Sequence, residues 1–203
     1  MTSIRWLLIL SSVFLALDCA EAGTYSLNLR YQPGKEFPSL QQKIGTTLAM
    51  APFKDERTDT LRIGVHANFQ GGLSYFRSYP FPLETAIKNS LSNVLPRYGV
   101  KTIPIPSWDG TPESLKNMEA DSVLMIEIKK FWTDGKGAPF KTNVKALVHF
   151  VIHLGVKKES KVFTRNVEIE REMTVTRSTP ARVEAMMNEI LTEIFDTYFS
   201  NPY

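Results

Sequence analysis

The sequence predicts an α+β domain: a mainly antiparallel twisted sheet with two long amphipathic helices packed on one face. Three observations predict it. Residues 83–98 and 183–199 repeat apolar side chains every three or four positions, the spacing of one helix face. The second half holds three long runs that alternate apolar and polar, the spacing of half-buried strands. A chain of 203 residues, 43% hydrophobic and 22% charged, suits one globular domain and can bury a sizeable core without metal or disulfide staples.

The first 22 residues read as a secretory signal peptide, leaving 23–203 as a single domain. Arg5 and the amino terminus supply a positive start, and residues 6–17 are apolar apart from Ser11 and Ser12. That run is shorter than the roughly 20 residues a bilayer span needs, but fits the apolar region of a signal peptide. Ala20-Glu21-Ala22 offers a small-x-small cleavage pattern. Cys19 opens a second possibility, lipidation, although Asp18 departs from the small residue that normally precedes a lipidated cysteine.

Further on, Tyr25, Leu27, Leu29 and Tyr31 alternate with polar residues as a strand, ended by Gln32-Pro33-Gly34. Residues 44–53 and 61–66 are further strand candidates. Residues 68–78, with Gly71-Gly72, read as a mobile loop carrying aromatics. The helix over 83–98 meets Pro96, which distorts its last turn, and Gly99 suits a left-handed cap. A short strand over 100–105 follows, and then a short helix from Thr111 or Pro112 to Met118.

The long strands cover 122–132, 143–156 and 161–176. Centring the turn of the last pair between Lys158 and Glu159 sets Leu154 against Phe163, Phe150 against Val167, Val148 against Ile169 and Val144 against Met173. The other face then pairs Lys145 with Glu172 and His149 with Glu168. A slip of one residue would destroy both sets. The final helix begins behind Thr179 with Pro180 in its first turn.

Composition excludes several function classes. One cysteine rules out an internal disulfide framework and a cysteine zinc site. A net charge of +3, with both signs interspersed, does not fit a nucleic-acid protein. His149 and His153 sit four residues apart on a strand, about 13 Å, too far to share one ion. No phosphate loop or serine elbow is present. The sequence therefore predicts no catalytic residues, no cofactor and no metal.

Two constellations remain. Asp55, Glu56, Arg57 and Asp59 form a charged turn after an apolar strand, read as solvated with Arg57 pairing locally. Val123 and Met125 on one strand, and Leu147 and Val151 on the next, put apolar residues on the sheet's second face. With Tyr75 and Phe76 they make a candidate partner patch, unless the first half of the chain covers them.

The run Tyr31-Gln32-Pro33, then Phe53, Asp55, Arg57 and Asp59 in an F-x-D-x-R-x-D pattern, then Ile63-Gly64, resembles the YajG-like family of Gram-negative envelope lipoproteins. More loosely it resembles the LptE-like and transport-auxiliary lipoproteins. The resemblance spans residues 25–130. It implies an α+β sandwich on the periplasmic side, no enzyme activity and an accessory role at the outer membrane. The expected function is thus a non-enzymatic, exported accessory protein that binds another cell-envelope component, protein or lipid. Membrane association is expected only if Cys19 is lipidated. The alternatives are a binder of a lipid or other apolar small molecule between helices and sheet, and a hydrolase using the 55–59 turn.

Overall fold

The computed structural model describes residues 23–203, so the signal segment and Cys19 lie outside the described residues. In chain order the elements are β1 (Thr24–Asn28), α1 (Leu40–Ile44), β2 (Thr47–Met50), β3 (Lys54–Asp55), β4 (Gly64–Ala67), β5 (Leu73–Tyr79), α2 (Leu83–Val94), β6 (Lys101–Pro104), α3 (Pro112–Leu115), β7 (Ser122–Ala138), β8 (Lys141–Val156), β9 (Lys161–Val175) and α4 (Pro180–Ser200).

All nine strands join one sheet, and it is mixed, which corrects the mainly antiparallel expectation. β7 is the spine. β8 runs antiparallel along one side of it, and β9 runs antiparallel to β8. The other side of β7 is shared end to end by β2, β3 and β4, all parallel to it. β6 adds in parallel to β2, β5 antiparallel to β4, and β1 in parallel to β5. The β8–β9 register is the expected one: Leu154 faces Phe163, Val144 faces Met173, Lys145 faces Glu172 and His149 faces Glu168.

β7 keeps its apolar side on the core through a bulge. Leu124, Ile126 and Ile128 point inward, and the register then shifts between Ile128 and Lys130 so that Phe131 does too. The extra residue, Lys129, is turned outward.

The second correction concerns the helices. Only α4, with 21 residues, is long; α2 has 12 and passes into a 3-10 turn over Leu95–Tyr98. Pro96 lies in that turn, and Gly99 closes it with φ +74°. Nor do the two helices pack side by side. The extended chain after β1 runs between them: the Tyr31 N–H donates to Ser90 Oγ of α2, and its neighbours bond to α4. α4 lies over β8 and β9, while α2 lies over β3 and β5. Both apolar stripes are buried in one core with Leu27, Leu29, Tyr31, Phe131 and Phe150.

Three local expectations also change. Residues 40–44 form α1, and the strand expected over 44–53 is confined to Thr47–Met50. The segment read as a mobile loop contains β5, ordered by partners on both sides. Gly71 and Gly72 supply only the turn before it, where Asn68 Oδ1 accepts from the N–H groups of Gln70 and Gly72. The strand expected over 122–132 runs on to Ala138, so Gly135-Lys136-Gly137 lies inside β7 and the β7–β8 turn falls at Pro139-Phe140.

Candidate functional site

Arg57 of the charged motif pairs locally, as expected, but inside the protein and not in solvent. Arg57 is 8% exposed. Its Nε donates to Asp55 Oδ1 (2.8 Å) and its Nη2 to Asp55 Oδ2 (2.7 Å), a two-pronged pair. The remaining guanidinium donors go to main-chain carbonyls: Nη1 to Arg62 (2.6 Å) and Phe131 (3.3 Å), Nη2 to Thr60 (3.2 Å). All five N–H directions of the fork are therefore used. Asp55 Oδ1 also accepts from the Arg57 N–H (3.2 Å). Asp59 Oδ1 accepts from the N–H groups of Leu61 and Arg62 and shapes the return of the chain.

The rest of the motif serves the same clasp. Phe53 is buried in the main core. Gly64 is where β4 meets β7: a Cβ there would lie 2.3 Å from Thr133 Oγ1 and 2.6 Å from the Thr133 carbonyl, so only glycine admits the approach. The motif ties the 53–64 connection to the spine strand. Its chemistry is spent on structure, and the 55–59 turn offers no free acid–base pair.

Beside the clasp, on the open face, is an ion-pair network. Lys129 Nζ donates to Glu56 Oε2 (2.6 Å) and lies 2.8 Å from Glu127 Oε2. The Lys129 ammonium hydrogen-bonded to it, against an opposing burial effect, holds the Glu127 carboxyl below its ordinary range. His153 Nε2 is 3.7 Å from Glu127 Oε1, and its Nδ1 bonds Thr164 Oγ1. Burial lowers the His153 pKa more than Glu127 raises it. His149 bonds Asn166 Oδ1 (2.6 Å), the diagonal neighbour, rather than Glu168 directly across. Among the described residues, no group of three or more His, Cys, Asp or Glu side chains could hold a metal ion.

The six residues of the candidate patch are not brought together on the surface. Val123, 0% exposed, and Met125 are covered by the chain's own segment around Trp108, Leu115 and Met118. Phe76 is buried in the main core, and the Arg62 guanidinium lies 4.0 Å over the Tyr75 ring. Leu147 and Val151 remain half-buried on the open face of β8, where Leu147 is joined by Trp132 directly opposite on β7. Sequence reasoning missed Trp132, because the bulge at Lys129 decides which face it joins.

The space between helix layer and sheet, where an apolar ligand was a candidate occupant, is filled by side chains. Phe131 stacks on Phe150, Phe150 on Phe195, and Phe195 meets Tyr31 at 5.4 Å between centroids. The larger grooves are open and of mixed polarity. One of about 690 Å³ lies along α4 beside Arg30 and Arg171, and one of about 540 Å³ lies along α2 beside Tyr31 and Arg97.

No protein-family model matches the sequence, and no curated protein is detectably related to it. Solved structures resemble it to different degrees. A protein from Xanthomonas campestris of the family model DUF330 superposes with TM-score 0.57 at 17% identity, over 87% of this chain and 92% of that one. A hypothetical protein from Chlamydia trachomatis gives TM-score 0.45 at 12% identity over 75% and 96% of the two chains. A lipoprotein from Neisseria meningitidis gives 0.39 at 11% identity over 74% and 98%. The first likeness is one of fold.

Proposed function

We propose that this chain is an exported, non-enzymatic accessory protein of the cell envelope that works by binding another envelope component. The observation that carries the reading is the fate of the charged motif. Asp55 and Arg57, part of the turn that the hydrolase alternative would have used, satisfy one another and the backbone inside the fold. What is left to act is surface. The fold shared with the Xanthomonas campestris protein and the YajG-like sequence run are consistent with this reading. The contact surface is the open face of β7–β9, where Trp132 and Leu147 lie side by side, Val151 follows on β8 beyond His149, and Lys130, Glu168 and the Lys145–Glu170 ion pair stand around them. An apolar centre with a charged rim is how protein interfaces are built.

The test is a photo-crosslinking side chain placed at position 147 in the cell that exports the protein. The reading expects the chain in the envelope fraction and a discrete adduct with one envelope component. A cytoplasmic chain, or adducts only with cytoplasmic proteins, would overturn it.

A further inference from the structure

The topology gathers several chain segments at one end of the sheet. β4 and β7 are parallel, so the β4–β5 turn and the β7–β8 turn project from the same pole, with Ala67 beside Lys136. The Phe69 main chain passes so close to Gly137 that a Cβ on that glycine would lie 2.8 Å from the Phe69 nitrogen. β1 starts there as well: Thr24 pairs with Tyr75, and the Gly23 carbonyl accepts from the Tyr75 N–H. β9 ends there, with Val175 opposite Thr142. Tyr25, Phe69, Gly137, Thr142 and Arg177 line a common cavity of about 600 Å³.

Two features set this pole apart. The first is Phe140, which is 93% exposed and has φ +65°. Pro139 fixes the preceding φ near −65°, and the turn then needs a left-handed residue, a position suited to glycine or asparagine. A bulky aromatic is disfavoured in that conformation and gains no burial from it. Folding gives no reason for Phe140, which directs attention to function. Phe69, on the neighbouring turn, is 63% exposed. The second feature is charge. Residues 23–26, 67–73, 136–141 and 175–179 contain Lys136, Lys141 and Arg177 and not one Asp or Glu.

We propose that this pole rests on an anionic lipid bilayer, with the Phe69 and Phe140 rings entering the interface and Lys136, Lys141 and Arg177 meeting the phosphates. Aromatic rings held out on short turns, with cations and no carboxylates in the turn segments themselves, match a membrane surface in both polarity and charge, the carboxylates of Asp134 and Glu172 lying one step back along the strands. A lipid on Cys19, which lies outside the described residues, was the route to a membrane that the sequence offered. The sequence tied membrane association to that lipid; the pole supplies contact of its own. It lies away from the centre of the open sheet face proposed for the partner, so either can fail without the other.

The experiment uses the chain from Gly23 onward, which carries both buried clusters complete and has no anchor. It is sedimented with vesicles of phosphatidylethanolamine and phosphatidylglycerol, and with vesicles of phosphatidylcholine. Binding is expected to the anionic vesicles, to weaken with salt, and to fall by about tenfold in F69S/F140S. Phe140→Asn alone should raise the melting temperature while lowering binding, a split that a structural role for the ring would not produce. In Phe140→Trp, tryptophan emission should shift to the blue on adding anionic vesicles. No binding by the parent chain, equal binding by the double variant, or an unshifted tryptophan would overturn the proposal. So would a change in oligomeric mass with vesicle binding unaltered, which would assign the tips to contact between copies of the chain.

Discussion

The side-chain amide of Asn188 takes the place of a neighbouring strand against Asn28: its Nδ2 donates to the Asn28 carbonyl (3.1 Å), and its Oδ1 accepts from the Arg30 N–H (2.8 Å). The relation repeats along α4. Glu184 accepts from the Asn28 N–H, Thr192 donates to the Gln32 carbonyl, and Asp196 accepts from the Gly34 N–H. Residues four apart on a helix rise about 6.0 Å, and residues two apart on an extended chain advance about 6.6 Å. The two repeats nearly match, so one helix face can satisfy four successive stations of an extended segment. This is why that segment, and not α2, lies against α4.

Asn188→Ala removes a donor and an acceptor at once and leaves two main-chain groups unpaired. The expected cost is about 1–3 kcal/mol, read as a lower urea midpoint with an unchanged slope. A midpoint equal to the parent's would show that water replaces the amide without loss.

Asp196 is 4% exposed and accepts from the Tyr31 hydroxyl (2.9 Å) as well as from Gly34. Burial first, and then this carboxylate, push the Tyr31 phenol far above its ordinary range. Asp196→Ala is expected to cost more than Tyr31→Phe, because it leaves two donors unsatisfied instead of one acceptor. Equal losses in the two variants would contradict that ordering.

His66 gives the protein a pH dependence. Burial lowers its pKa, and its Nε2 has no hydrogen-bond partner among the described residues. The folded state therefore binds this proton less readily than the unfolded chain. The contribution of a neutral His66 is complete above the unfolded pKa, about 6.5, and is lost as pH falls through that value toward the folded pKa. His153 acts in the same direction. Urea midpoints should fall between pH 7.5 and pH 5.5, and less so in His66→Gln. An equal fall in parent and variant would assign the effect elsewhere.

The β8–β9 hairpin was fully legible in the sequence, because a period of two and a short turn leave only one register that matches apolar with apolar. Thr179, Pro96 and Gly99 were legible as local signals of helix start and stop. The parallel partners of β7 were not, since nothing in residues 47–50 or 64–67 names a strand many residues away. β5 was hidden by the glycines before it. The four-residue repeat Glu184, Asn188, Thr192, Asp196 was in plain view, but polar spacing on a helix looks the same whether water or a backbone answers it. The motif around Arg57 was found by its spacing, while its burial, which reverses its meaning, depends on Phe131 across the sheet.

The claim that function lies on the open sheet face, with the Asp55–Arg57 pair structural, is tested most directly by comparing two variants. Asp55→Asn uncouples a buried ion pair and should cost about 3–5 kcal/mol, lowering the melting temperature. Leu147→Asp should leave it nearly unchanged. Both are assayed below the melting point of the weaker one, by the yield of a crosslinked envelope component from a photo-reactive residue at position 151. The account predicts that Leu147→Asp abolishes the adduct while Asp55→Asn, still folded, keeps it. An adduct retained in Leu147→Asp and lost in folded Asp55→Asn would contradict it, and would make the charged motif the functional site.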